Sequence, residues 1–188
     1  MIEKIGIIML DTVFPRIPGD VGNPSTFSFP VIYKVVKGAT STKVVKEGNS
    51  TLLQPIIQAA KELEEEGIAA IATSCGFLAM FHKELTNAVK VPVFTSSLLQ
   101  VHVANTIIKR KQKVGILTAS SQHLSDKHLN GVGIENDSVI IRGMDGAVNF
   151  TNAFLGSSTF FDVELVKHEM VQSAEEMLNE YPEIGALV

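Results

Sequence analysis

The stretch Gly67-Ile-Ala-Ala-Ile-Ala-Thr-Ser-Cys-Gly-Phe77 decides how the rest of this chain is read. Ile68 to Ala72 is a short apolar run between Gly67 and a Thr-Ser-Cys-Gly turn, the pattern of a buried strand. Cys75, the chain's one cysteine, therefore falls just past the carboxyl end of a strand. In open α/β sheets that edge is where ligands bind. A lone cysteine often packs as a small apolar residue. Here Thr73, Ser74 and Gly76 are polar or minimal neighbours, which suit a reactive thiolate better than a core filler.

Outward from this run, strands and helices alternate. Ile5 to Leu10 reads as a first buried strand and Val31 to Val36 as a short edge strand. Between them, residues 11–30 form a long loop holding Pro15, Pro18, Pro24 and Pro30, a length typical of a functional lid or a linker. Leu52 to Glu66 has helical spacing, with Asn49 or Ser50 as cap, Pro55 in the first turn and Gly67 as stop. Helices are expected over 78–89 and 98–109, with strands over 91–94 and 114–118. Ser120 and Ser121 are expected to cap a helix reaching Asn130, followed by a strand over 139–142. A long helix over 160–180 should turn Leu165, Val166, Met170, Ala174 and Leu178 inward. After Pro182, Ile184 to Val188 begins one more strand, and because the sequence stops inside it a longer natural chain is expected.

This alternation predicts an α/β fold with parallel sheets covered by helices on both faces. Two lobes are expected, an N-terminal one over 1–96 carrying Cys75 and a second over 97–188. The turns after Leu10, Ser74, Thr118 and Val188 would converge if two similar lobes faced each other.

Bulk composition narrows the function classes. Hydrophobic content of 45% with 19% charged residues describes a globular protein. A net charge of -4 offers no basic footprint, so no nucleic-acid partner is expected. No run approaches a membrane span and the N-terminus lacks a signal-peptide pattern. A single cysteine excludes an internal disulfide framework and fits a cytoplasmic setting. The cluster Lys109-Arg-Lys-Gln-Lys113 reads as a solvated helix end complementing the dipole. His123 and His128, five apart, miss metal-ligand spacing on one helix face and read as surface residues, while His82, His102 and His168 gain no partner from spacing. No metal or cofactor is expected.

Ile5-Gly-Ile-Ile, the segment from Ala69 to Phe77, Val114-Gly-Ile-Leu-Thr-Ala-Ser120 and the segment from Pro182 to Val188 follow one another across the whole chain. In this order and spacing the sequence resembles the aspartate/glutamate/hydantoin racemase superfamily. The resemblance implies two flavodoxin-like lobes related by a pseudo-twofold, with an active site between them. It also implies a cofactor-independent isomerase, an amino-acid racemase acting on aspartate, glutamate or a related small carboxylate; a homodimer is the expectation for a small enzyme. Such enzymes use two cysteines, one per lobe, because stereoinversion needs an acid/base group on each face of the α-carbon. Cys75 is the first of these. The second, expected just beyond a strand resembling Gly185-Ala-Leu-Val188, is not in this sequence.

Binding of the substrate carboxylate is expected at Ser74, Gly76, Thr118, Ala119, Ser120 and Ser121, whose amides and hydroxyls sit at helix amino ends. Ordinary capping is the competing role for the hydroxyl residues. Asp11 is a candidate to orient Cys75, although Asp-Thr-Val-Phe-Pro departs from the Asp-Ser-Gly of glutamate racemases. Arg16 is a candidate clamp for a distal carboxylate. With one cysteine, a single-base decarboxylase, lyase or cis-trans isomerase of the same fold stays open, as does a carboxylate-binding domain without turnover.

Overall fold

The computed structural model describes residues 3–156 and 158–188 and contains two parallel sheets. The strands are β1 (Ile5–Leu10), β2 (Val31–Val36), β3 (Ala70–Thr73), β4 (Val93–Phe94), β5 (Lys113–Thr118), β6 (Val139–Gly143) and β7 (Ile184–Leu187). One sheet has the order β2-β1-β3-β4 and the other β6-β5-β7. Among the described residues, six α-helices accompany them: α1 (Leu53–Glu65), α2 (His82–Ala88), α3 (Gln100–Ile107), α4 (Asp126–Gly131), α5 (Val148–Phe150) and α6 (Val163–Glu180). This is the expected α/β architecture of two lobes with helix-covered parallel sheets. The lobes repeat one plan. In the first, β1 and β2 lead through a π-helical turn (Thr42–Lys46) to α1 and β3; in the second, β5 and β6 lead through another (Thr151–Leu155) to α6 and β7.

Local sequence explains the elements that frame the site. Ile7, Ile8, Met9 and Leu10 are buried, as a strand inside a helix-covered sheet requires. Pairing Ile8 with Thr73 brings the end of β1 level with the turn that carries Cys75. Helix α1 buries Ile56, Ala59, Ala60 and Leu63, and Asn49 Oδ1 accepts the Thr51 N–H at 3.0 Å ahead of it. A cap of this kind contributes about 1 kcal/mol. Gly67, at φ +72°, ends the segment in a conformation that side chains rarely adopt. One apolar cluster runs through both lobes, including Ile8, Leu10, Ile71 and Leu78 with Ile116 and Leu129.

Several expectations are corrected. The helix over 78–89 begins instead as a tight 3-10 turn (Gly76–Phe81) that passes into α2. The helix expected from Ser120 starts only at Asp126, because both serine hydroxyls donate to Asp145 instead of capping. In α6, Leu165, Met170 and Leu178 are exposed, while Val166 and Met177 are buried. The inward face is rotated and includes Glu169, whose carboxylate accepts the backbone N–H groups of Asn149 (3.0 Å) and Phe150 (2.8 Å). That acidic residue broke the apolar pattern. The 11–30 loop is tied to itself and to β2: Thr26 Oγ1 donates to the Asp20 carbonyl, Asn23 Nδ2 to the Arg16 carbonyl and, from β2, Tyr33 OH to the Val21 carbonyl. No helix among the described residues is long and apolar enough to cross a membrane.

Candidate active site

A cavity of about 280 Å³ lies between the lobes, and Leu10, Ser74, Thr118 and Val188 all line it. The strand ends converge as the repeat implied. Cys75 faces this cavity, half-buried, with its other side packed on the shared core. Its turn is moored to both neighbouring strands. Ser74 Oγ accepts the Leu10 N–H at 3.2 Å, and Thr73 Oγ1 donates to the Thr95 carbonyl at 2.7 Å. Burial pushes the Cys75 thiol up to about 11, against the opposing pull of the Phe77 and Leu78 backbone N–H groups and the Arg16 charge. The thiol is therefore protonated near neutral pH until something stabilises its anion.

The expected site residues divide. Ser74, Gly76, Thr118, Ala119 and Arg16 line the cavity with Cys75. Asp11 does not. Its carboxylate accepts the Gly38 N–H at 2.9 Å and pairs with Lys37 at 3.5 Å, and the Gly38 bond chiefly holds it below the usual carboxylate range. Ser120 and Ser121 do not line it either. Ser120 is 1% exposed, donates to Asp145 and lies 2.8 Å from His123 Nδ1; the Ser121 N–H and hydroxyl both reach Asp145 Oδ2 at 2.8 Å. Their work is to fix the loop after β5, and hydrogen bonds from both serines hold the Asp145 carboxyl low against the opposing effect of burial. Ser120, His123 and Asp145 do meet, but the serine stands between the other two with its proton committed to the carboxylate. That order is not a nucleophilic triad.

Other lining residues had no signal in the sequence pattern. Arg16 pairs with Asp20 at 3.1 Å, donates to Thr12 Oγ1 at 2.8 Å and lies 4.2 Å from the centre of the Phe14 ring. Phe14 meets Phe154 of the second lobe edge to face, centroids 5.0 Å apart. Phe14, Asp20 and Phe154 all face the cavity. Ser96 and Ser97 also line it, and a Cβ at Gly76 would approach Ser96 Oγ to 3.1 Å. His128 sits behind the wall. Its Nδ1 accepts the Ser125 N–H at 3.1 Å, Nε2 has no partner among the described residues, and the ring stands edge-on to Phe77 at 5.0 Å. Among the described residues, no group of three or more His, Cys, Asp or Glu side chains is placed to hold a metal ion.

No family model matches the chain. It is 29% identical over 192 residues to a dimethylsulfoniopropionate lyase from Durusdinium sp. clade D, covering 98% of this chain and 63% of that protein. It is 30% identical over 184 residues to dimethylsulfoniopropionate lyase 7 from Emiliania huxleyi (strain CCMP1516), covering 95% and 53%. The chain thus spans between half and two thirds of the length of these relatives. Among solved structures, a sulfate-associated variant of arylmalonate decarboxylase superposes with a TM-score of 0.61 at 15% identity, covering 98% of this chain and 76% of the other. A glutamate racemase from Bacillus anthracis gives 0.57 at 14% identity, covering 98% and 66%. At these identities the likeness is one of fold: the chain shares the two-lobe α/β architecture of these enzymes. The relatives by sequence correct the expected activity. They are named as lyases, not isomerases, and the amino-acid racemase is set aside on that ground.

Proposed function

We propose that this chain carries the catalytic cavity of a carbon–sulfur lyase acting on dimethylsulfoniopropionate or a close analogue, with the Cys75 thiolate as its base. The observation that carries this reading is the one cysteine of a chain similar to dimethylsulfoniopropionate lyases facing the cavity between its lobes. The substrate is a propionate with a dimethylsulfonium group on C3. In the proposed step the thiolate removes a proton from C2, next to the carboxylate. The C–H electron pair becomes the C2–C3 double bond, and the C3–S pair leaves with sulfur. Acrylate and dimethyl sulfide are the products, and the proton on Cys75 returns to water. Elimination asks for one base where stereoinversion asks for two.

The chemistry of the walls supports a zwitterion. Arg16 and Asp20 present one positive and one negative group to the cavity, which matches a ligand bearing both charges. Arg16 and the hydroxyls of Ser96 and Ser97 are the candidates to hold the carboxylate and the charge that develops on it. The rings of Phe14 and Phe154 are the candidates for the sulfonium, since aromatic faces attract soft cations. A sulfonium beside Cys75 also lowers the cost of ionising a thiol that burial holds near 11.

Two measurements test this. In a sealed vial with dimethylsulfoniopropionate, the protein should release dimethyl sulfide and form acrylate in equal amounts. No release above a heat-killed control ends the proposal. In the ligand-free protein, iodoacetamide should alkylate Cys75 slowly at neutral pH and with a profile rising towards pH about 11. Because the folded thiol titrates above its ordinary 9.0, its contribution to stability is intact below pH 9.0 and is lost as pH climbs through about 11. A profile centred near 9.0 would mean that burial does not hold the thiol.

A further inference from the structure

We propose that Thr73 is the positioning residue for the Cys75 thiol, acting through a hydroxyl shared between two backbone carbonyls. Thr73 Oγ1 donates to the Thr95 carbonyl at 2.7 Å and lies 3.2 Å from the Cys75 carbonyl. The Cys75 carbonyl also accepts the Leu78 N–H at 3.1 Å, so it is approached by the Thr73 hydroxyl from the strand side and by a backbone donor from the turn. The peptide leaving Cys75 is thereby held from two directions. Its orientation decides where the Phe77 and Leu78 N–H groups stand relative to the sulfur, and these two groups favour the thiolate.

The far end of the tie is rigid. Thr95 is fully buried, and its own hydroxyl lies 2.9 Å from His82 Nδ1 at the start of α2. Thr73 thus joins β3, the end of β4 and the thiol turn through one proton. Ser74, bonded to the Leu10 N–H, moors the same turn to β1. With the β4 tie removed, the turn keeps the β1 tie and can pivot about it, shifting the sulfur within the cavity. A displacement well under the length of a bond suffices to spoil a proton transfer.

The test compares Thr73→Val, Thr73→Ala and Thr73→Ser. Its first readout, the pH profile of Cys75 alkylation by iodoacetamide, needs no substrate. Its second, kcat and KM for dimethyl sulfide release, rests on the proposed lyase reading. Val and Ala at position 73 should change the alkylation rate at fixed pH by about threefold or more. They should lower kcat about tenfold while KM stays within about twofold. Thr73→Ser keeps the hydroxyl and should reproduce the parent in both. A folded Val or Ala variant whose alkylation profile superimposes on the parent's overturns the proposal. So does a Ser variant displaced as far as the Ala variant, a comparison that survives if Val does not fold. If the parent releases no dimethyl sulfide, the lyase reading fails while the alkylation series still decides the role of Thr73.

Discussion

Cys75→Ala should fold like the parent and release dimethyl sulfide about 10²–10⁴-fold more slowly, the usual contribution of a positioned acid/base group. The stability cost is small because only one sulfur is removed from a half-buried side chain that already borders a cavity, a change worth about 1 kcal/mol. Cys75→Ser should be as inactive as Cys75→Ala. A hydroxyl is a far weaker acid than a thiol, and the burial that raises the thiol to about 11 would penalise an alkoxide at least as much. Binding should outlive catalysis. The candidate ligand contacts, Arg16, Ser96, Phe14 and Phe154, are untouched, so dimethylsulfoniopropionate should still raise the melting temperature of the alanine variant. At a hundred times Kd this stabilisation is about 2.7 kcal/mol. A variant that turns over at the parental rate would remove Cys75 from the chemistry. Thermal protection without turnover in the parent would instead mark a binding domain.

Much of the frame could be read from the chain, and the reasons for the exceptions are physical. β1 and β2 have the bounds the sequence announced; β1 does so because a strand buried under helices leaves a continuous hydrophobic segment. The site's location followed from one cysteine at a strand end and from four strand ends that converge. The side chains that finish the cavity were hidden. Phe154 sits on a π-helical turn, which has neither the helical nor the strand period, in a stretch that offered no pattern. Asp145 lies 24 and 25 residues from the serines it anchors, a separation no local pattern reports. Asp11 looked catalytic at a strand end, yet its carboxylate accepts the Gly38 N–H and pairs with Lys37 instead of facing the cavity. The proposed reaction type was hidden for a related reason. Racemisation and β-elimination begin alike, with a proton removed next to a carboxylate, so residues around that carbon read the same for both. They differ in what departs from the neighbouring carbon, and the groups suited to receive it, Phe14 and Phe154, come from opposite lobes.

Gly131→Ala should be a strongly destabilising single-methyl change in the second lobe. α4 packs against the 3-10 turn that follows Cys75, and a Cβ at Gly131 would lie 2.2 Å from the Ala79 carbonyl oxygen, 3.0 Å from its carbon and 3.3 Å from Met80 Cα. All three are backbone atoms, so no side chain can swing away and the helix must lift off the turn. Alanine's better helix propensity offers about 1 kcal/mol in the other direction. Overpacking against a fixed backbone costs about 3 kcal/mol, so the clash wins. For a chain of this size the net loss should lower the melting temperature by about 4–8 °C. Gly146→Ala is the control, since a Cβ there meets nothing within 4 Å, and it should leave the melting temperature within about 2 °C of the parent. Differential scanning calorimetry of both variants decides the matter; equal stability would show that α4 is not seated on the turn. Activity should follow stability for a specific reason. Leu78 and Ala79 are fully buried in the contact, and the same turn supplies the Phe77 and Leu78 N–H groups that favour the thiolate. Prising α4 away therefore loosens the joint between the lobes and displaces the turn that carries the sulfur in one movement, and Gly131→Ala should lose dimethyl sulfide release at temperatures where it is still folded.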